Sequence, residues 1–167
     1  MILQTERLVL RELVEDDAPF ILELVDSPAF HENIGDRGVR DLDGARTYIA
    51  GVRESYAKNG FGLWRAALKA SDEPIGLCGL VKRDALPLPD VGYALLERFW
   101  GQGFATEAAA ATIDHGLGVL GIPVIAAITK PGNAGSIAVL EKIGMAYQGL
   151  RQLEGHDGES TYFETIG

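Results

Sequence analysis

Trp100-Gly101-Gln102-Gly103-Phe104-Ala105-Thr106-Glu107-Ala108 stands between an apolar stretch, Val91 to Phe99, and an alanine-rich run that continues to Val119. The first reads as a strand and the second as a helix, so the two glycines lie in a strand-to-helix turn. Glycine lets the backbone bend sharply there without a side chain in the way, and the first turn of the helix leaves its amide N–H groups without intrahelical partners. Such a turn is an anion site, most naturally for phosphate, unless the glycines serve only a tight connection. A P-loop needs Lys followed by Ser or Thr after its second glycine, and no such pair occurs here. The dinucleotide fingerprint asks for Gly or Ala where Thr106 stands, and for an acidic residue about 20 positions on, near Pro123, where there is none. These absences argue against a nucleoside triphosphatase and leave NAD a weak alternative.

Outward from the turn, the pattern alternates strand and helix. A first strand reads from residue 2 to 11. A helix then opens on Glu15-Asp16-Asp17, carries Phe20, Ile21, Leu24 and Val25, and stops at Ser27-Pro28. A polar, glycine-bearing loop covers His31 to Arg40, and a second helix runs from Leu42 to Lys58. Strands at 61–68, 74–81 and 91–99 form a meander if their short connections are hairpins. The rest reads as a helix at 104–119, a strand at 123–128, a helix at 134–143 and strands at 145–151 and 160–166. The fold class is α/β, a single-domain mixed, mostly antiparallel sheet of about seven strands flanked by about four helices, spanning 1–167.

Composition agrees with one ordinary globular domain of 167 residues, 47% hydrophobic and 23% charged. No apolar run approaches a membrane span, and the start of the chain lacks the basic flank and apolar core of a signal peptide, so a cytoplasmic location is expected. The single cysteine, Cys78, fits a reducing compartment and excludes an intrachain disulfide or a thiolate metal site. His31, His115 and His156 lack paired metal-ligand spacing, so no metal is expected. A net charge of −9 argues against direct nucleic-acid contact and toward cationic small molecules or peptides. Nothing in the sequence chooses between monomer and homodimer.

The turn Trp100 to Ala108 resembles the coenzyme A pyrophosphate loop of the GNAT superfamily of N-acetyltransferases, in the form found in its Rim-like branch of ribosomal-protein alanine N-acetyltransferases. Three further pieces resemble that branch in the right order: Thr5 to Arg11 its opening strand, Val91-Gly92-Tyr93-Ala94-Leu95 the strand before the loop, and Asn133 to Ser136 through Leu140 to Gly144 its last helix. The resemblance implies an acyl-CoA N-acyltransferase fold and acetyl-CoA as cosubstrate. Backbone amides of Gln102, Gly103, Phe104, Ala105 and Thr106 would hold its pyrophosphate, and Tyr93 and Leu95 would pair backbone groups with the pantetheine arm. Asn133, Ser136 and Leu140 would border the cofactor. The superfamily's frequent Arg or Gln at the head of the loop is Trp100 here, which reads as packing, and Glu107 should turn its charge away as a helix-dipole partner.

Many superfamily members carry a tyrosine acid where Leu140 stands, so Ser136 is the substitute candidate to protonate or hydrogen-bond the leaving sulfur. The implied reaction is direct attack of a neutral amine on the thioester. Cys78 reads as core, and base candidates are Glu97, Asp90, Glu12 and Glu32. His31 and Trp64 are candidates to touch the acceptor. That acceptor is a primary amine, with a protein or peptide α-amine leading and an aminoglycoside or polyamine as the alternative. Acidic residues of the closing segment, Glu154, Asp157 and Glu159, would help draw it in. The rival readings are a non-catalytic acetyl-CoA-binding module and a glycine turn that binds nothing.

Overall fold

The computed structural model describes residues 1–153 and 158–166. Glu154, Asp157 and His156, named above, lie outside the described residues. The first strand divides into β1 (Leu3–Gln4) and β2 (Leu8–Arg11), because Thr5 N–H closes a turn on Leu8 C=O. A 3-10 turn at Glu15–Asp17 leads into α1 (Ala18–Val25). The acidic turn does more than face the helix dipole. Asp17 is buried and accepts from both terminal nitrogens of Arg11, at 2.9 Å each, and from Val14 N–H.

Ser27-Pro28 ends α1 and at once begins α2 (Pro28–Asn33), which the sequence reading placed partly in a loop. Ser27 Oγ accepts from Phe30 N–H and proline occupies the first helical position, where it has no hydrogen bond to lose. Phe30 packs that short helix onto α1. Then α3 (Leu42–Asn59) follows, capped by Asp41.

The expected meander is present as β3 (Leu63–Leu68), β4 (Pro74–Val81) and β5 (Asp90–Leu95), adjacent and antiparallel. The last of these stops at Leu95, earlier than the expected Phe99, because Glu97–Phe99 coils into a 3-10 turn. After it come α4 (Phe104–Gly118), β6 (Ala126–Thr129), α5 (Ala134–Lys142), β7 (Ala146–Gln152) and β8 (Glu159–Glu164). Among the described residues the sheet therefore has eight strands, in the order β1-β2-β3-β4-β5-β6-β8-β7, with five α-helices.

One layer, α1 to α3, covers one face through Leu13, Ile21, Leu24, Ile49 and Leu77. The other layer, α4 and α5, covers the opposite face through Trp64, Cys78, Leu80, Ala108 and Leu140. On β4, Leu77 and Cys78 go to opposite layers, as a period of two requires. Strands β3 and β4 approach so closely that a Cβ on Gly79 would lie 2.0 Å from Gly62 C=O. Gly79→Ala is thus expected to destabilise the protein by roughly 1–3 kcal/mol, read as a lower urea midpoint at unchanged slope. An unaltered midpoint would contradict this packing.

Candidate active site

The sheet's hydrogen bonding nearly fails between β5 and β6. These are its only parallel neighbours among the described residues, and they meet at a single register pair, Asp90 with Ala126, where Ala126 N–H reaches Pro89 C=O at 2.9 Å. Beyond that point the strands diverge. Leu96 N–H bonds Ile75 C=O on the β4 side, so by alternation the backbone groups of Tyr93 and Leu95 turn toward β6. The amide and carbonyl of Tyr93 have no strand partner there. Leu95 differs, because its carbonyl is taken by the indole N–H of Trp100 at 3.0 Å. Trp100 is 46% exposed. It works less as packing than as a strut between the glycine turn and the end of β5, while the Leu95 side chain is buried under α4.

The turn itself takes the shape its glycines allow. Gly101 and Gly103 have φ of 74° and 82°, in the left-handed region, and Gly103 is the N-cap of α4. The first amide of this helix with an acceptor among the described residues is that of Glu107, bonded to Gly103 C=O. The amides of Gln102, Gly103, Phe104, Ala105 and Thr106 are left as donors at the positive end of a 15-residue helix. The Phe104 ring is buried in the core beneath the turn.

Behind the turn lies an arrangement that sequence reasoning did not foresee. Glu107 does point away from the donor amides. Its carboxylate is gripped by the β1–β2 hairpin, accepting from Arg7 Nε at 2.7 Å, Arg7 N–H at 2.9 Å and the Thr5 hydroxyl. Arg7 also donates to Gln102 C=O at 3.0 Å and lays its guanidinium over the Phe104 ring, 4.2 Å from the centroid. Partial burial alone would raise the Glu107 carboxyl, but the bonds from Thr5 and Arg7 outweigh it and hold the group below the ordinary carboxylate range. Thr5 and Arg7 belong to the opening motif already quoted, but nothing local in it shows that they reach a helix about 100 residues away.

On the far side of the gap, Asn133 is the N-cap of α5, with Oδ1 accepting from Ser136 N–H at 3.2 Å. Ser136 Oγ lies 2.7 Å from the Tyr93 hydroxyl. Burial pushes that phenol up to about 12. Leu140, one turn on, is 1% exposed and belongs to the core.

The two candidates for acceptor contact do not share a pocket. Trp64 is 1% exposed and packs edge-on against His115 in the α4 layer, so its side chain is core. His31 sits on α2, in the opposite layer, with Nε2 3.2 Å from Asp26 Oδ1. Among the base candidates, Asp90 is 1% exposed and locked to Arg83 Nε at 2.6 Å. Glu12 follows β2, three strands and roughly 14 Å from β5. Glu97 is exposed in the turn after β5. Glu32 is tied to the end of β6 through its backbone carbonyl, which accepts from Lys130 Nζ at 2.6 Å. Cys78 is fully buried beside Thr112, 3.3 Å away, and burial pushes its thiol up to about 12, which disqualifies it as a nucleophile at neutral pH.

Two diverging strands beside a turn of unpaired amides suit a ligand that carries a pyrophosphate and an amide-bearing arm. The comparisons with known proteins agree. Residues 7–146 match the acetyltransferase (GNAT) domain family. The chain belongs to that family. It is an acetyl-CoA-dependent N-acetyltransferase, with acetyl-CoA as cosubstrate. The uncharacterized N-acetyltransferase p20 of Bacillus licheniformis is 30% identical over 89% of this chain and 84% of its own. The uncharacterized protein YkkB of Bacillus subtilis is 36% identical over 66% of this chain and 65% of its own, a little under two thirds of that relative's length. In fold, the chain matches a solved structure of the ribosomal L7/L12 α-N-protein acetyltransferase RimL in complex with coenzyme A, with a TM-score of 0.85 over 99% of this chain and 97% of that one, at 18% identity. No helix among the described residues is long and apolar enough to cross a membrane, and none of their His, Cys, Asp and Glu side chains form a metal-binding group.

Two measurements check this geometry. Valine at position 103 must hold a left-handed backbone, at roughly 1–2 kcal/mol, and its Cβ would meet Arg7 Nη2 at 3.4 Å. Gly103→Val should therefore weaken acetyl-CoA binding, measured by calorimetry on the folded variant, by roughly tenfold or more. Glu107 has its pKa depressed by folding, so its contribution is complete above the unfolded carboxylate value near ~4.3 and is lost as pH falls through the lower folded value. Glu107→Gln should lower stability at pH 7 and flatten the loss of stability below about pH 4, as followed by urea unfolding across pH.

Proposed function

We propose that this enzyme acetylates a primary amine by direct transfer, with a protein or peptide α-amine ahead of aminoglycosides and polyamines, in the cytoplasm. The observation that carries the reading is the opening between β5 and β6, which is walled by Ser136 of α5 on one side of the sheet and, through the Lys130–Glu32 tether, by the end of α2 on the other. Such an opening allows the cosubstrate to lie along the α4–α5 layer while the amine enters from the α1–α3 layer.

Acetyl-CoA supplies an acyl carbon already activated as a thioester. The chain's part is to bind, orient and balance charge. The amides of Gln102 to Thr106 hold the pyrophosphate, and the unpaired amide and carbonyl of Tyr93 hold the arm in register. Leu95 contributes its amide alone, since its carbonyl belongs to Trp100. Ser136 offers its hydroxyl to the departing sulfur. Asn133 shapes that corner by capping the helix that carries Ser136, and Leu140 closes it from the core with an apolar wall.

For the acceptor, the support is charge and neighbourhood. The rim side carries three carboxylates, Asp26, Glu32 and Asp36, against Arg40 and His31, within a chain of net charge −9, and an ammonium is drawn to an acidic surface. The neighbour RimL, alike in fold, is named for acetylating the α-amine of a protein. Glu32, attached to the rim, is the leading base to relieve the ammonium of its proton. In this reading His31 meets substrate through its charge cluster with Asp26, and Trp64 drops out of the site.

A screen of peptides with free α-amines against polyamines and aminoglycosides, following thiol release from acetyl-CoA, is expected to give the highest kcat/KM for peptides, falling as salt rises because exposed charges are screened. Turnover confined to hydroxyl or anionic acceptors would refute the assignment. With the best acceptor, Ser136→Ala should lower kcat by roughly 10- to 100-fold, the range of a hydrogen bond to a charged group, with a smaller change in acetyl-CoA affinity. Cys78→Ala should retain activity, and mass spectrometry should show no acetylated enzyme.

A further inference from the structure

Leu140 removes a phenol from the place where one would face the leaving sulfur, yet a phenol stands across the gap. Tyr93 springs from β5 at the register position opposite Cys78, and its hydroxyl spans the opening to α5, 2.7 Å from Ser136 Oγ and 3.1 Å from Ser136 C=O. We propose that Tyr93 is a positioning residue for Ser136: its phenolic hydrogen is donated to Ser136 Oγ, which turns the serine hydrogen outward to the sulfur of coenzyme A. This inference rests on the acetyltransferase reading above and assigns to Tyr93 a side-chain task beyond its backbone contact.

The hydrogen-bond inventory carries the argument. A serine hydroxyl has one hydrogen and two lone pairs, and a phenol has one hydrogen to give. In the pair as it stands, two arrangements are possible. If the phenol donates to Ser136 C=O, the serine hydrogen points back at the tyrosine oxygen and the pair is closed on itself. If the phenol donates to Ser136 Oγ, the serine hydrogen is free. The carbonyl of Ser136 lies within α5, where the N–H four residues on is placed to donate to it, so it does not depend on the phenol. The arrival of an electron-rich sulfur therefore selects the second arrangement, which adds one hydrogen bond and loses none that the helix needs.

The rest of the pair is held in place. Asn133 Oδ1 fixes Ser136 through its amide at 3.2 Å, and the Tyr93 ring packs on the α4–α5 layer. Burial raises both titratable groups at this spot, Tyr93 and its partner Cys78, to about 12, so both stay protonated and the phenol keeps its hydrogen through the neutral range. No proton leaves Tyr93. As the nitrogen–carbon bond forms and the carbon–sulfur bond breaks, the electron pair settles on sulfur, which takes a hydrogen bond from Ser136. The proton lost by the amine nitrogen passes to the base and solvent, and sulfur is protonated in its turn.

The test is a double-mutant cycle in binding, which needs no acceptor. Calorimetry compares coenzyme A with desulfo-coenzyme A, which lacks the sulfur, on the wild type, Tyr93→Phe, Ser136→Ala and the double variant, at intervals between about pH 6 and 9, where a thiol near ~8.5 ionises. The expected wild-type preference for coenzyme A grows with pH as thiolate forms. Each single variant should cut that preference by about fivefold or more at the upper end, and the double variant should lose no more than Ser136→Ala alone. Affinity for desulfo-coenzyme A should be unchanged throughout. A preference untouched by Tyr93→Phe, or losses that multiply in the double variant, would overturn the assignment and leave the acetyltransferase reading standing. Failure of both ligands to bind the folded wild type would instead remove that reading and this one with it. Should Tyr93→Phe not fold, the [13C]tyrosine ζ-carbon resonance of Tyr93 in wild type and Ser136→Ala decides: it must move on adding coenzyme A more than on adding desulfo-coenzyme A, and only when Ser136 is present.

Discussion

Everything about this site depends on a sheet that declines to close. A parallel pair of strands would ordinarily run a ladder along its length, and leaving buried backbone N–H and C=O groups without partners is costly. Here β5 and β6 share one register pair and part. The groups exposed by the parting, those of Tyr93 above all, are affordable only because solvent or a ligand can reach them. Structure and binding capacity are thus one property. In the proposed reading, the divergence that weakens the sheet is also the groove that would receive the cosubstrate's arm.

A groove that is cut into a sheet must be held open by other means, and the structure supplies four. Trp100 fastens the end of β5 to the glycine turn through the Leu95 carbonyl. The β1–β2 hairpin clamps the first turn of α4 through Thr5, Arg7 and Glu107, so that the donor amides are presented by a fixed helix end. Across the gap, Tyr93 bridges to Ser136, and Lys130 ties the end of β6 to α2. All are polar contacts, and all but the Trp100–Leu95 bond join elements distant in the chain. Together they preorganise the binding groups, so that less ordering remains to be done when the ligand arrives.

The ionic groups divide by burial in a consistent way. Asp17 with Arg11, and Asp90 with Arg83, are sequestered beneath the strand ends and act as structural pairs. Carboxylates on the rim, the half-buried Asp26 and the exposed Asp36, pair with Arg40 and His31 near the surface. The first kind fixes the fold, because a buried charge cannot be left alone. The second is open to screening by salt, and in the proposed reading it would set the field that an approaching amine feels.

Local chemistry made much of this legible from sequence. The glycine turn before an alanine-rich helix announced an anion site because two positions needed a backbone that only glycine adopts freely, and the meander, α3, α4 and α5 followed from periodicity and end signals in the chain itself. Where a local signal had two meanings, sequence chose one. Ser27-Pro28 serves equally as an end and as a cap with proline behind it, and α2 was lost for that reason. What sequence could not contain was partnership at long range. That Trp64 is core and not pocket, that Arg7 holds Glu107, and that Tyr93 meets Ser136 are all decided by which elements the sheet order brings together. Hydrogen bonds and burial act between neighbours in space, and across separations of 43 and 100 residues only the folded chain determines who those neighbours are.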